Sequence, residues 1–233
     1  MAKLDGQIEV ILKTMDDKLK EGRAYRDINV AAFERRAEGD EKTVSGYATT
    51  FDQPYELYRD TWDGVTYIVM EQVDRNAFSD TDMSDVIMQY NHEGRVFART
   101  SNGTLELDPD EHGLHIRAEL GGTALGRQVF EEIEGGYTTK MSFGFRVGKD
   151  KTERTEERNE DTVVTTITIL RTILSFSKLY DVSAVSLPAN DATSISARSF
   201  SEGVIEEVKK EILEREKRER QKKRIRILTE VSK

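Results

Sequence analysis

The chain has 233 residues, 36% of them hydrophobic and 34% charged, with a formal net charge of −9. That balance supports one core of about 100 to 200 residues with segments appended to it. It contains no cysteine, which excludes a disulfide framework, a thiolate zinc site and a cysteine nucleophile. No apolar run approaches the roughly 18 residues of a membrane span, and an acidic body repels phosphate backbones, so neither a membrane nor a nucleic acid is expected as the main partner.

In chain order, Leu4, Ile8, Ile11, Leu12, Met15 and Leu19 recur at helical spacing and predict a short amphipathic helix ahead of the compact domain, in a segment of residues 1–24. The domain itself is expected to run over residues 25–200. It opens with a strand over Ile28 to Phe33, a polar stretch through Gly39, and a second strand over Thr43 to Ala48. Further strands are predicted at Tyr67 to Glu71, Asp85 to Tyr90, Gly103 to Leu107, Leu114 to Glu119 and Lys140 to Val147, several of them with alternating apolar residues. Between these, Thr123 is placed to cap a helix that carries Leu125, Val129, Phe130 and Ile133 on one side and ends at Gly135-Gly136. Residues 149–161 have no apolar side chain and read as an exposed loop. Strands resume over Thr162 to Leu170 and near Leu179 to Leu187, before Pro188. Residues 201–233 carry a net charge of +3, leaving −12 on the rest, and predict a charged, solvated helical tail with Glu and Lys or Arg at i,i+4. The whole reads as mainly β with helices, an α+β protein.

The residues that could do chemistry are few. Only His92, His112 and His115 can serve as a neutral-pH base of the usual kind. His92 stands in Asn-His-Glu-Gly-Arg, where an apolar strand gives way to a loop, a good position for a functional side chain. His112 lies in a polar turn, and His115 alternates along a strand. Ser142, in Lys-Met-Ser-Phe-Gly-Phe, is fixed on a strand, but the residues alone do not separate a nucleophile from an ordinary strand serine. Its context is not Gly-x-Ser-x-Gly, and His-Glu-x-x-His is also missing. Asp181 is an acid within the apolar run Leu-Tyr-Asp-Val-Ser-Ala-Val. Its carboxylate needs either a partner, such as an imidazole N–H, or an edge position facing solvent.

Taken in order, several short blocks resemble those of the prohead proteases of HK97-like phages. They are Val44-Ser-Gly-Tyr-Ala48, Ala77-Phe78, Asn91-His92, Gly103-Thr-Leu-Glu-Leu107, Asp110-Glu-His-Gly-Leu114, Met141-Ser142-Phe-Gly-Phe145, and Asp181-Val-Ser183 leading to Pro188-Ala189-Asn190. The match covers about residues 25–195, and its strength lies in the joint order of the blocks. That family resembles the herpesvirus assembly proteases, which implies a β-barrel dressed with helices and a chain order of histidine, serine and a third residue. By resemblance His92 is the base, Ser142 the nucleophile and Asp181 the orienting acid. The chain departs from its relatives in having aspartate where glutamate is frequent at the third position, and Arg75-Asn76 where Pro-Gly is common.

The resemblance implies a serine endopeptidase that needs no metal or organic cofactor. Its implied partners are the major capsid protein with its scaffold segment, and the chain itself through autoprocessing, with a homo-oligomer left open. Its implied place is the immature head in the cytoplasm of a bacterial host. The alternative is a non-enzymatic capsid scaffold or assembly protein on a protease-like fold. A nucleic-acid accessory role for the basic tail is disfavoured by the acidic body. The oxyanion-hole donors are not legible, and Arg95 and Arg171 are named only as candidates.

Overall fold

The computed structural model describes residues 22–28, 34–38, 41–158, 165–186 and 192–231. The helix expected over residues 4–19 lies outside them, as do 29–33, 159–161 and the Pro188-Ala189-Asn190 block. Eleven strands are found among the described residues: β1 Ala24–Ile28, β2 Glu34–Glu38, β3 Glu41–Thr50, β4 Tyr55–Trp62, β5 Val65–Val73, β6 Ile87–Tyr90, β7 Glu93–Arg99, β8 Leu105–Pro109, β9 Gly113–Glu119, β10 Lys140–Arg158 and β11 Thr165–Val185. Helix α1 covers Ala124–Glu134 and α2 covers Ala192–Val231. The protein is therefore mostly β with a smaller helical part, as the alternation of apolar residues predicts.

The strands form two sheets rather than the closed barrel that the sequence resemblance implies. One has seven strands, ordered β1-β10-β11-β5-β4 with β6 attached to β11 and β7 to β6, and the other has four, ordered β2-β3-β9-β8. The physical reason lies in β11. Its first half pairs in parallel with β5 over Thr165 to Ile173, and its last residues, Asp181 to Ala184, pair in parallel with β6. One long strand thus spends its free edge on two different neighbours. The two sheets meet through side chains: one core draws Val44 and Ala48 from β3, Leu114 and Ile116 from β9, Val129, Phe130 and Ile133 from α1, and Phe143, Phe145, Phe176 and Val182 from β10 and β11. Phe145 and Phe176 lie 4.8 Å apart between ring centroids, and Phe176 and Phe78 4.7 Å, spacings at which aromatic rings attract beyond simple burial.

Local chemistry explains where elements begin and end. Thr123 caps α1, its hydroxyl accepting from the Gly126 amide at 2.9 Å, and Gly136 at φ 75° turns the chain out of the helix. The buried face of α1 holds Val129, Phe130 and Ile133, while Leu125 is exposed. β4 and β5 are joined by Asp63 and Gly64, both with positive φ, the requirement of a two-residue type I′ hairpin. The stretch 149–158, which reads as a loop, is instead the outer half of β10. It pairs with β11 out to Arg158↔Thr165. Its residues are exposed, so neither phase of the alternation needs to be apolar, and β1 covers only Met141 to Phe145. No other described strand pairs with the rest of that edge, and the charges along it disfavour pairing with other chains. Similarly, the polar run Glu34–Glu38 is strand β2, paired with β3.

The chain divides into two compact units, residues 1–197 and 198–233. The second consists of α2 from Arg198 on, with surface ion pairs such as Arg218 to Glu214 at 3.6 Å. No helix among the described residues is long and apolar enough to cross a membrane.

Candidate active site

The site is built on the β10–β11 ladder. Opposed residues of an antiparallel pair share a face, and so do residues two apart on one strand. Ser142 lies opposite Ser183, and Gly144 opposite Asp181, so Ser142, Asp181 and Ser183 all project to one side. The hairpin between β6 and β7 brings His92 onto that side. Its two turn residues, Asn91 at φ 49° and His92 at φ 59°, are both left-handed, again the type I′ requirement, with Tyr90 paired to Glu93. The second of these positions ordinarily favours glycine, and histidine holds it here at a cost in backbone strain of about 1 kcal/mol or more. The turn is tied down by two bonds to β11: the Asn91 amide donates to the Ala184 carbonyl at 3.0 Å, and the His92 amide donates to Ser183 Oγ at 3.2 Å.

The geometry brings together the three side chains that the sequence singles out. His92 Nε2 is 2.6 Å from Ser142 Oγ, and His92 Nδ1 makes a very short bond with Asp181 Oδ1. A carboxylate only accepts, so Nδ1 carries the ring proton and Nε2 turns its lone pair toward the serine hydroxyl. The hydroxyl is also 3.0 Å from the Arg26 carbonyl, to which it can donate instead. Ser142 is 0% exposed, Asp181 4% and His92 8%. Asp181 therefore gains its partner from the imidazole N–H rather than from solvent. His112 and His115 belong elsewhere, beside the Tyr47 ring at 6.2 and 5.2 Å between centroids, one tilted and one edge-on.

Three further residues shape the site. The Ser183 hydroxyl donates to Asp181 Oδ1 at 3.1 Å while accepting from the His92 amide, so it fixes the carboxylate and the turn together. Gly144 leaves room for Asp181: a Cβ there would sit 2.3 Å from Oδ2 and 2.8 Å from Tyr25 Cε1. The Tyr25 ring packs on the His92 imidazole at 4.4 Å. Ser183 and Gly144 each lie two residues from a singled-out residue, on the same strand face. That spacing was the available signal.

Next to the site is a buried ion network. Arg26 grips Glu71 with two bonds of 2.5 and 3.0 Å, Tyr55 donates to the same carboxylate at 2.6 Å, and Arg171 donates to it at 3.0 Å and to Asp150 at 2.6 Å. Burial opposes the charge on Glu71, but Arg26, Arg171 and the Tyr55 hydroxyl outweigh it and hold the carboxyl below its usual range. Burial, then the charge of Glu71, pushes the Tyr55 hydroxyl well above 10. Arg171 is thus engaged by Glu71 and Asp150, and Arg95 is exposed.

A family model described as caudovirus prohead serine protease matches residues 28–211 of the chain. No curated protein and no solved structure matches it.

Proposed function

Because the chain belongs to the caudovirus prohead serine protease family, a group of serine peptidases of phage capsid maturation, we propose that it is an endopeptidase with Ser142 as nucleophile, His92 as general base and Asp181 as the acid that orients it. The observation that carries this reading is one imidazole hydrogen-bonded to Ser142 Oγ through Nε2 and to Asp181 through Nδ1. In this assignment Nε2 removes the hydroxyl proton as Oγ attacks a peptide carbonyl carbon. Asp181 keeps the ring in the tautomer that can accept and stabilises the imidazolium that forms. The imidazolium then gives its proton to the leaving amine, and water, deprotonated by the same nitrogen, hydrolyses the acyl-enzyme.

The proposed substrates are the scaffold segment of the major capsid protein and the protease itself, cut inside the immature head. Residues 25–200 form the proposed protease domain, between the segments 1–24 and 201–233. The test is Ser142→Ala expressed with the capsid protein. Mass spectrometry should find discrete losses from both proteins with the wild-type enzyme and none with the variant. Continued trimming by a folded Ser142→Ala protein would remove Ser142 from the mechanism. The zero exposure of Ser142 is the observation that favours a second reading, a non-enzymatic assembly protein on this fold. A wild-type protein that trims nothing in the presence of its capsid protein would select it.

A further inference from the structure

A nucleophile with no exposed surface cannot meet a peptide, so the feature that covers Ser142 decides how substrate enters. Among the described residues, β1 is the outermost strand of the seven-stranded sheet and has β10 as its paired neighbour. It runs antiparallel along Met141 to Phe145, with Asp27 in register with Ser142. Two parts of β1 engage reacting groups. The Tyr25 ring covers the His92 imidazole, and the Arg26 carbonyl accepts a hydrogen bond from Ser142 Oγ. An extended main chain with a carbonyl oxygen at the serine hydroxyl is what a peptide substrate would present there. The edge of a sheet accepts such a chain through main-chain hydrogen bonds whatever its sequence.

We propose that the β10 edge at Met141–Phe145 is the docking surface for an extended peptide substrate, and that β1 occupies this surface in the present structure as an intramolecular stand-in which substrate displaces. This rests on the protease reading above. Two further observations support it. Among the described residues β1 is an edge strand, so its departure breaks one ladder there, the one with β10, and leaves β10–β11 and the three central side chains in place. The family match also begins at residue 28, the last residue of β1. Arg26 is a side chain that holds β1 down, through its two bonds to Glu71. The strength of that grip sets how often the cleft is open.

The experiment measures labelling of Ser142 by a fluorophosphonate probe in the full chain, located by mass spectrometry. Arg26→Ala loosens β1 and is expected to label faster than wild type by about tenfold or more, the range open to a minor state populated at roughly 0.1–10%. Unchanged or slower labelling in a folded Arg26→Ala protein overturns the proposal. The second variant does not depend on that one folding. The chain has no cysteine of its own, so Ile28→Cys with Met141→Cys, a directly paired position, places one thiol pair across β1 and β10. Oxidation should suppress labelling and a reductant restore it in the same molecules. Equal labelling of the oxidised and reduced forms overturns the proposal. If Ser142 is labelled in no form and wild type trims no capsid protein, the protease reading itself fails, and the proposal with it.

Discussion

Gly144→Ala is the sharpest test of the site's geometry. The new Cβ would lie 2.3 Å from Asp181 Oδ2, whereas ordinary contact begins near 3.4 Å, so the carboxylate must retreat by about 1 Å. It cannot do so and keep both the His92 Nδ1 bond and the Ser183 bond, because those partners are fixed on the turn and on the same strand. A misplacement of about 1 Å in a reacting constellation costs about 10²-fold in rate, and loss of the acid's control over the imidazole tautomer costs up to about 10⁴-fold. The expected result is therefore a fall in kcat/KM of about 10²- to 10⁴-fold on a capsid-protein substrate. Overpacking adds a stability loss of about 1–3 kcal/mol, read from the urea midpoint. A folded Gly144→Ala enzyme that retains kcat/KM within about threefold of wild type would refute the orienting role of Asp181.

Ser183→Ala removes a donor from Asp181 and leaves the buried His92 amide without its acceptor, so stability should fall by about 1–3 kcal/mol. Activity should fall with it, and Ser183→Thr should restore part of both, as followed by denaturant melts and capsid-protein trimming. Glu71 provides a pH signature. Its carboxyl sits below the ordinary 4.5 in the folded state, so its contribution is fully present above that value and is lost as pH falls through the lower folded value. The stability advantage of wild type over Glu71→Gln, measured from about pH 6 to about pH 3, should shrink on acidification; an advantage that grew would refute the network. Tyr55 works in the opposite sense: its raised value predicts stability present below 10 and lost as pH climbs above it, an effect that Tyr55→Phe should remove.

Much of the scaffold is legible in the sequence where one face is buried. β5 and β9 alternate apolar and polar residues because one side meets the core, and α1 announces itself by Thr123 at one end and Gly135-Gly136 at the other. The outer half of β10 is illegible for the converse reason: its residues face water, so a strand there is written entirely in Lys, Glu, Arg, Asp and Thr. β4 escapes too, although Asp63-Gly64 is a hairpin signal that could have revealed it. At the site, His92, Ser142 and Asp181 can be named from the order of short blocks, yet nothing along the chain tells that they meet. That depends on register, and a single residue of slippage between β10 and β11 would send Ser142 to the other face. The roles of Gly144 and Tyr25 exist only across strands, and Ser183, although it bonds Asp181 two residues away on β11, takes its second role from the His92 amide, 91 residues distant in sequence.

The left-handed turn at Asn91-His92 sets main-chain comfort against side-chain bonding at a single residue. Judged by the backbone alone, glycine at position 92 would relieve about 1 kcal/mol of strain. The same change would strip the buried Asp181 carboxylate of its imidazole N–H and take away the ring on which Tyr25 packs, a loss of about 1–3 kcal/mol or more. The imidazole thus outweighs the turn it strains, and screens for melting temperature and for activity should both reject His92→Gly.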